Sequence, residues 1–210
     1  MCRRSSRRKS PDFDDTDVLR LFAAVDLPDE FRFRLAGLKR DFPGIRWTLS
    51  ENMHLTLRFI GEVGRQEADA ARNALRATRV APFSLCLHGL GVFERRHQTV
   101  LWAGLGFSAP LVKLKRQVDT LLADAIGLAP ERGRYAPHVT LSRMRTGVVA
   151  DLHERIAGYG FAGESFAVES FTLFHSVLSP AGAAYFPLEL YPLGSAVCLR
   201  SSARPRSRQC

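Results

Sequence analysis

Two stretches of the chain share one pattern, His-Leu-Thr-Leu at 54–57 and His-Val-Thr-Leu at 138–141. Each alternates polar with apolar residues, which is the period-two signature of a strand with one buried face. Because residues i and i+2 of a strand point the same way, each histidine shares a face with the threonine that follows it. The pattern therefore predicts two half-buried strands, each presenting one imidazole and one hydroxyl on its polar side.

Two imidazoles, each with a hydroxyl close by, suit acid–base chemistry at a phosphodiester. One imidazole can take a proton while the other gives one, and the hydroxyls can hold the non-bridging oxygens. With six histidines and nine threonines in the chain, chance predicts roughly 0.3 copies of His-x-Thr. A single copy would be an ordinary strand, but two copies, both followed by Leu, favour a site. His54 and His138 are thus candidate catalytic residues, and Thr56 and Thr140 are candidate phosphate ligands.

The composition bounds the class of protein. A chain of 210 residues with 46% hydrophobic and 24% charged residues is ordinary for a globular protein and can bury a sizeable core, as one domain or two small lobes. The net charge is +9; residues 1–19 contribute +1 and residues 200–210 contribute +4, so the body carries the remaining +4. This mild basicity suits a phosphate-bearing partner without requiring a long nucleic-acid footprint.

Cysteine usage and the termini indicate a compartment. No two cysteines are spaced as a metal pair, and we expect no disulfide framework, so a reducing cytoplasm is the default location; the four are Cys2, Cys86, Cys198 and Cys210. The basic stretch 3–9 is followed by the acidic stretch 12–17 instead of an apolar run, and Arg20 and Asp26 interrupt the next apolar segment. We therefore expect neither an export signal nor a membrane span.

The order of predicted elements suggests two related halves. We predict helices at about 28–41, 65–79, 109–126 and 148–158, and strands at about 18–25, 53–60, 83–88, 100–105, 135–143, 165–178 and 184–191. Gly61 is expected to end the first motif strand. A series of strand, helix and motif strand is followed later in the chain by a similar series of elements. This similarity predicts two lobes that share a cleft. Residues 1–17 and the Arg- and Ser-rich stretch 196–210 are predicted to be disordered, leaving a domain of 18–195.

The ordered motifs resemble those of the two-histidine phosphoesterases, and within them the bacterial and archaeal RNA 2′,3′-cyclic phosphodiesterases, earlier named 2′-5′ RNA ligases. The match extends over nearly the whole body, from about Arg20 to Leu193. It rests on stretches at 20–28, 46–48, 51–57, 59–61, 101–104 and 135–143, on Ser176, and on the hairpin at 182–185.

The resemblance implies an α+β fold of two pseudo-symmetric lobes, each an antiparallel sheet flanked by helices, around a cleft that carries both motifs. It implies opening of a cyclic phosphate to a 2′-phosphate with no cofactor and no metal ion. His54 would be the proton donor to the leaving oxygen and His138 the proton acceptor that activates water. Thr56 and Thr140 would bind the phosphate oxygens.

Further candidates carry alternatives. Arg143 lies five residues after His138 and faces away from it in a regular strand, although a twist or bulge could bring its guanidinium to the phosphate. Phe93, Phe22 and Trp47 could stack on a base, but a core role is favoured for Phe22 and Trp47. The remaining histidines are interpreted as surface or strand residues, and no zinc-ligand spacing can be assembled from them; they are His88, His97, His153 and His175.

Three functions stay open at this point. The leading hypothesis is hydrolysis of a cyclic phosphate on RNA ends or small nucleotides. A 2′-5′ RNA ligase would run the same chemistry backwards, which water opposes unless the RNA ends are held together. A catalytically inactive RNA-binding protein on the same scaffold would have no need of two intact histidine motifs. We expect a monomer that does not interact with membranes, and the sequence does not identify the physiological RNA.

Overall fold

The computed structural model describes residues 18–40, 42, 45–131, 133–145, 152–161, 164–180 and 182–194. The tails predicted at 1–17 and 196–210 lie outside these residues, as do positions 146–151. The described residues form eight strands: β1 (Leu19–Asp26), β2 (His54–Val63), β3 (Phe83–Arg95), β4 (Gln98–Leu105), β5 (His138–Met144), β6 (Ser165–Val168), β7 (Ser170–Ser179) and β8 (Gly182–Pro192). They also form four α-helices: α1 (Asp29–Gly37), α2 (Arg65–Leu75), α3 (Ala109–Ile126) and α4 (Leu152–Ile156).

The strands form one antiparallel sheet in the order β6-β3-β4-β5-β2-β1-β7-β8. The two motif strands, β2 and β5, lie at its centre and meet through the pair Leu55 and Val139. On either side, long ladders join four strands into a half-sheet: β1, β2, β7 and β8 make the first half-sheet, and β3 to β6 make the second. The expected α+β fold, with two related antiparallel halves around the motifs, is thereby confirmed.

The chain order of the two halves differs from the sequence-based expectation. The strand predicted at 165–178 is interrupted at Glu169, and its two parts pair with opposite halves: β6 with β3, and β7 with β1. The C-terminal hairpin therefore completes the first half-sheet and does not repeat it. Because a single residue separates strands that are far apart in the sheet order, the sheet must curl until its ends approach each other.

Helices cover the apolar face of the sheet. α2 and α3 pack against each other, α2 against β1 and α3 against β2. The α3 boundaries match the prediction because both ends are capped: Ser108 Oγ accepts the Leu111 N–H at 3.3 Å, and Gly127 ends the helix at φ 66°. The helix buries Leu111, Leu114, Val118 and Leu122 against the core.

Several predicted boundaries are wrong: α2 ends at Leu75 and not near residue 79, and β3 extends to Arg95, well beyond residue 88. Gly61 does not end β2; it takes φ 93° inside the strand, which continues to Val63 through a register shift against β1. A residue with positive φ at a bulge favours glycine, so the sequence signal was a bulge and not a terminus. Helix α1 ends at Gly37, earlier than the predicted position near residue 41, and a 3₁₀ turn (Leu38–Arg40) follows it. None of the described helices is long and apolar enough to cross a membrane.

Candidate active site

His54 is held in a fixed ring orientation at the start of β2. Its Nδ1 lies 2.9 Å from the Asn52 carbonyl oxygen. A carbonyl only accepts, so Nδ1 carries the hydrogen and Nε2 is the nitrogen left to exchange a proton. Phe22 packs against the imidazole at a centroid distance of 4.8 Å, and Tyr185 meets it edge-on at 5.2 Å. The side chain is thus a half-buried, oriented base or acid.

His138 repeats this arrangement in the second half-sheet. Its Nδ1 donates to the Ala136 carbonyl oxygen at 2.8 Å, again from the residue two positions earlier. Phe93 meets the imidazole edge-on at 4.9 Å, and the Trp102 ring centroid lies at 6.3 Å. Both histidines therefore present Nε2 for chemistry, and each has its own aromatic support.

The central strand pair brings the two motifs together. Leu55 and Val139 are direct partners, and both are fully buried on the helix-covered face. In antiparallel register this pair sets His54 beside Thr140 and Thr56 beside His138, all on the opposite face. The two histidines are then diagonal neighbours, a relation that places Cα atoms roughly 7–8 Å apart. The sheet therefore has one cleft face bearing two imidazoles and two hydroxyls at the spacing of a small anion.

A bulge decides the direction of Arg143. In the β4–β5 ladder, Leu101 pairs with Ser142 while Trp102 pairs with Thr140, so Leu141 is an extra residue in β5. Leu141 and Ser142 are consecutively buried, and Arg143 is exposed. The bulge resets the alternation and returns Arg143 to the face of His138, as one of the two predicted alternatives requires.

The same bulge occurs in β2, which shows how closely the halves correspond. Ala23 pairs with Arg58 and Ala24 with Thr56, so Leu57 is the extra residue. The position equivalent to Arg143 is then Phe59, which is 53% exposed and pairs with Phe22. One half thus presents a cation to the cleft where the other presents an aromatic ring.

Burial and positive neighbours disfavour the imidazolium form of both histidines. Burial lowers the pKa of His54 to about 4, although its hydrogen bond to Asn52 opposes the shift; the charges of Arg143 and Arg32 lower it further. The pKa of His138 is also lowered, chiefly by burial and then by Arg143. Both imidazoles are therefore predominantly neutral near pH 7 in the free protein.

The other predicted aromatic residues divide as expected. Phe22 is 2% exposed and lies beneath His54, and Trp47 packs against the core, so the core interpretation of both is confirmed. Phe93 is half-buried on β3 and contacts His138, in a position open to a ligand. The remaining histidines lie on strands, in a turn or on a helix, away from the motif pair: His88 on β3, His97 in the β3–β4 turn, His153 on α4 and His175 on β7.

Sequence reasoning missed the setting of Trp102. Its indole lies flat against the sheet, over Gly91 on the neighbouring strand and Gly104 on its own strand, and a Cβ at Gly91 would overlap the ring. Phe93 packs on the same indole at 5.0 Å. The alternating glycines at 89 and 91, opposite a tryptophan, were the available signal, since a strand glycine often marks a close approach.

A buried charge cluster supports the cleft from behind. Arg58 is 3% exposed, and its Nη1 lies 3.6 Å from a carboxylate oxygen of Asp119 and of Glu131. Lys115 Nζ bonds both carboxylates, at 2.6 and 2.9 Å. Next to it, the Tyr135 hydroxyl donates to the Thr56 carbonyl oxygen at 3.0 Å. These contacts fasten the segment that precedes β5 to the first motif strand, so the two motifs are positioned by one network.

Within the described ranges, no three His, Cys, Asp or Glu side chains are grouped so that they could hold a metal ion. The chemistry that the described site offers consists of two oriented imidazoles, two hydroxyls and one arginine on a shared cleft face. Such a set can move protons to and from the oxygens of a phosphodiester while binding its negative charge.

Comparison with known proteins agrees with this geometry. A family model described as the 2′-5′ RNA ligase superfamily matches residues 28–178. The RNA 2′,3′-cyclic phosphodiesterase of Thermotoga maritima is 32% identical over 80% of this chain and 91% of its own length. The protein of the same name from Methanothermobacter thermautotrophicus is 30% identical over 83% of this chain and 99% of its own.

Solved structures show the same architecture. E. coli LigT in its apo form superposes with a TM-score of 0.71 at 27% identity, over 85% of this chain and 99% of LigT. LigT complexed with 3′-AMP gives 0.71 at 30% identity, over 84% of this chain and 99% of LigT. The paired motifs on one curled sheet define a two-histidine phosphoesterase, as the sequence resemblance indicated. Within that class, the chain belongs to the 2′-5′ RNA ligase superfamily.

Proposed function

We propose that this protein hydrolyses 2′,3′-cyclic phosphates on RNA ends or nucleotides to 2′-phosphates, by general acid–base catalysis between His54 and His138. The observation that carries the proposal is the matched pair of imidazoles, each with Nδ1 bonded to a carbonyl oxygen, which leaves Nε2 for proton exchange. The names of the relatives support the substrate class, since several at about 30% identity are RNA 2′,3′-cyclic phosphodiesterases.

In the proposed reaction, His138 removes a proton from water as the water oxygen attacks phosphorus. The bond from phosphorus to the 3′-oxygen breaks, and His54 in its imidazolium form protonates that oxygen. The products are a 2′-phosphate and a 3′-hydroxyl, and the histidines return to their starting forms by exchange with solvent. The family resemblance assigns the donor role to His54 and the acceptor role to His138. Because the pKa of His54 is lowered in the free protein, His54 must gain its proton in the complex.

The negative charge of the substrate raises the pKa of His54, so that the imidazole can be protonated in the complex. A phosphodiester carries one negative charge, which stabilises an adjacent imidazolium and raises its pKa from the low value of the free cleft. We assign Thr56 and Thr140 to the non-bridging oxygens, and Arg143 to the same anion by virtue of the β5 bulge. Phe93, half-buried beside His138, is assigned to the nucleobase, which an aromatic face binds without strong base preference.

The alternatives are weaker on specific grounds. Ligation needs a second RNA end held in place of water, which is abundant and competes with it. A purely RNA-binding role gives no reason for two imidazoles with identical hydrogen bonding. We further propose that residues 18–195 act as one catalytic domain, as a monomer in the cytoplasm, with no cofactor.

The proposal is tested by product analysis. A short RNA ending in a 2′,3′-cyclic phosphate is incubated with the protein in EDTA, and the product is resolved by mass and by the position of its phosphate. We expect a mass gain of one water and a 2′-phosphate, with no product from the His54→Gln, His138→Gln double variant. A 3′-phosphate product, or turnover that depends on an added metal ion, would contradict the mechanism. Joining of an added 5′-hydroxyl RNA in preference to hydrolysis would establish the ligase alternative.

A further inference from the structure

A groove of about 540 Å³ lies on the helical side of the protein, remote in sequence from both motifs. One wall is the exposed face of α3, and the other is the segment 77–79 that follows α2. Its lining includes Arg79, Phe107, Lys113, Arg116 and Gln117. The mechanism uses none of these residues, so the groove needs a separate explanation.

The charge of the groove is of one sign. Lys113 and Arg116 project from the exposed face of α3, Arg79 lies on the opposite wall, and no carboxylate is among the lining residues. In the described part of the chain, neither Lys113 nor Arg116 has an ion-pair partner. The body as a whole carries a net charge of only +4, so three unopposed cations are a marked local concentration. Such a surface attracts a polyanion.

Hydrogen bonds between its two walls hold the groove in shape. The Gln117 side chain accepts the Arg79 N–H at 2.8 Å and donates to the Arg79 carbonyl oxygen at 3.1 Å, which fixes the distance between the walls. The Arg79 guanidinium in turn donates to the carbonyl oxygens of Arg76 and Thr78. The positive wall is therefore preorganised, and a ligand would order little on binding.

An exposed aromatic ring is also among the residues that line the groove. Phe107 is 89% exposed, and it lies three residues beyond Gly104, the strand partner of His138. Three residues span at most about 11 Å, and paired Cα atoms lie about 5 Å apart. The Phe107 backbone is thus within about 16 Å of His138, a distance that a few nucleotides can cover.

We propose that this groove binds the single-stranded RNA segment that precedes the terminal cyclic phosphate. Its phosphates contact Arg79, Lys113 and Arg116, and one base stacks on Phe107, which combines the two features of sequence-tolerant single-strand binding. The inference rests on the proposed function for the position of the RNA end. It adds that long RNAs are bound at a second place, outside the cleft.

The salt dependence of RNA binding measures these contacts directly. Three phosphate contacts on a single strand contribute about −2 to the slope of log K against log salt, so binding weakens about 20-fold between 50 and 200 mM salt. In the double variant Lys113→Glu with Arg116→Glu, one phosphate contact remains in the groove. Its contribution to the slope of log K against log salt is about −0.7, so the groove's share of RNA binding weakens only about 2.5-fold between 50 and 200 mM salt. Both side chains are exposed on α3, so the substitutions leave the core intact and the variant is expected to fold.

The experiment uses the full chain and a 12-nucleotide RNA with a 3′-hydroxyl, followed by fluorescence anisotropy at several salt concentrations. The matched control is Lys39→Glu, an exposed lysine outside the groove. We expect the slope to fall by about 1.4 in the groove variant and to stay unchanged in the control. Thermal unfolding checks the fold, and Lys113→Gln with Arg116→Gln provides a second pair that removes charge without reversing it.

Equal slopes in the groove variant and the wild type would overturn the proposal, as would an equal loss in Lys39→Glu. Competition by poly-glutamate as strong as by RNA would assign the groove to an acidic protein and also overturn it. Turnover separates this inference from the proposed function: the KM ratio of a cyclic-phosphate oligonucleotide to a mononucleotide should rise in the groove variant. A wild type that hydrolyses neither substrate yet keeps the salt slope would refute the function and support the groove.

Discussion

Binding of a phosphodiester should draw a proton onto His54, because burial and positive neighbours hold its pKa near 4 in the free protein. The perturbation is the binding of a nucleoside 2′,3′-cyclic phosphate to a His138→Gln variant, which lacks the base and leaves the ligand intact. The ligand is a diester and remains a monoanion across the pH range, so any pH dependence comes from the protein.

The magnitude follows from the two pKa values of His54. If the bound anion restores the pKa from about 4 to its ordinary 6.5, the affinity at pH 5 exceeds that at pH 7 by about 20-fold. The affinity rises as the pH falls below the pKa of His54 in the complex, because the complex binds a proton at His54 more tightly than the free protein does. Near pH 5.3, midway between the two values, binding should take up about 0.9 proton.

Isothermal titration calorimetry in two buffers of different ionisation enthalpy measures both quantities. The control is His54→Gln in the same His138→Gln background, in which the uptake and the pH dependence should vanish together. An affinity that is constant from pH 5 to pH 7, with no proton taken up, would show that the phosphate does not charge His54. The assignment of His54 as the proton donor would then be wrong.

Four further outcomes are expected. Replacing His54 or His138 by Ala should lower turnover by about 10²–10⁴-fold and change the free energy of unfolding by no more than about 1 kcal/mol. A nitrophenyl ester substrate, whose leaving group needs no proton, should restore the turnover of His54→Ala only. Restored turnover in His138→Ala instead would exchange the two roles. Because His54 binds protons more weakly in the folded than in the unfolded protein, the free energy of unfolding should fall as the pH is lowered from 6.5 toward 4. In urea unfolding, the wild type should lose about 2 kcal/mol more than His54→Gln between pH 7 and pH 5, and equal losses in both proteins would refute the pKa shift. Gly91→Ala should push the Trp102 indole out of place at a cost of about 1–3 kcal/mol and raise KM, whereas Gly37→Ala, with open space at its Cβ, should change neither quantity; an unaltered KM in Gly91→Ala would remove Trp102 from the site. Removing residues 1–17 and 196–210 should leave folding and mononucleotide turnover nearly unchanged, and a truncated chain that fails to fold would show that the tails belong to the domain.

The motif strands and their shared face could be predicted from sequence because period-two alternation is a local property. His54 and Thr56, like His138 and Thr140, are separated by one buried residue, and that spacing alone sets their common direction. The capped helix α3 was equally accessible, since its apolar stripe, Ser108 and Gly127 all lie within one short stretch.

Features that depend on strand partners were not accessible. A bulge is a mismatch between two strands, so nothing within 138–144 alone says whether Arg143 faces the cleft; the answer lies in its register with β4. Arg58 is polar yet buried for the same reason, at a bulge in β2. The division of 165–178 between two half-sheets also depends on distant pairing, because β6 and β7 each look like ordinary strand in isolation.

The late return of the chain to the first half-sheet has a consequence for biosynthesis. The second half-sheet is continuous from β3 to β6, so all its strands have been synthesised by Val168. The first half-sheet lacks β7, the second neighbour of β1, and the edge strand β8 until both have been synthesised. Phe174 and Tyr185, which pack around Phe22 beneath His54, belong to those last strands. On the ribosome, the half that carries His138 can therefore fold first, and the surroundings of His54 are completed only after β7 and β8 have been synthesised.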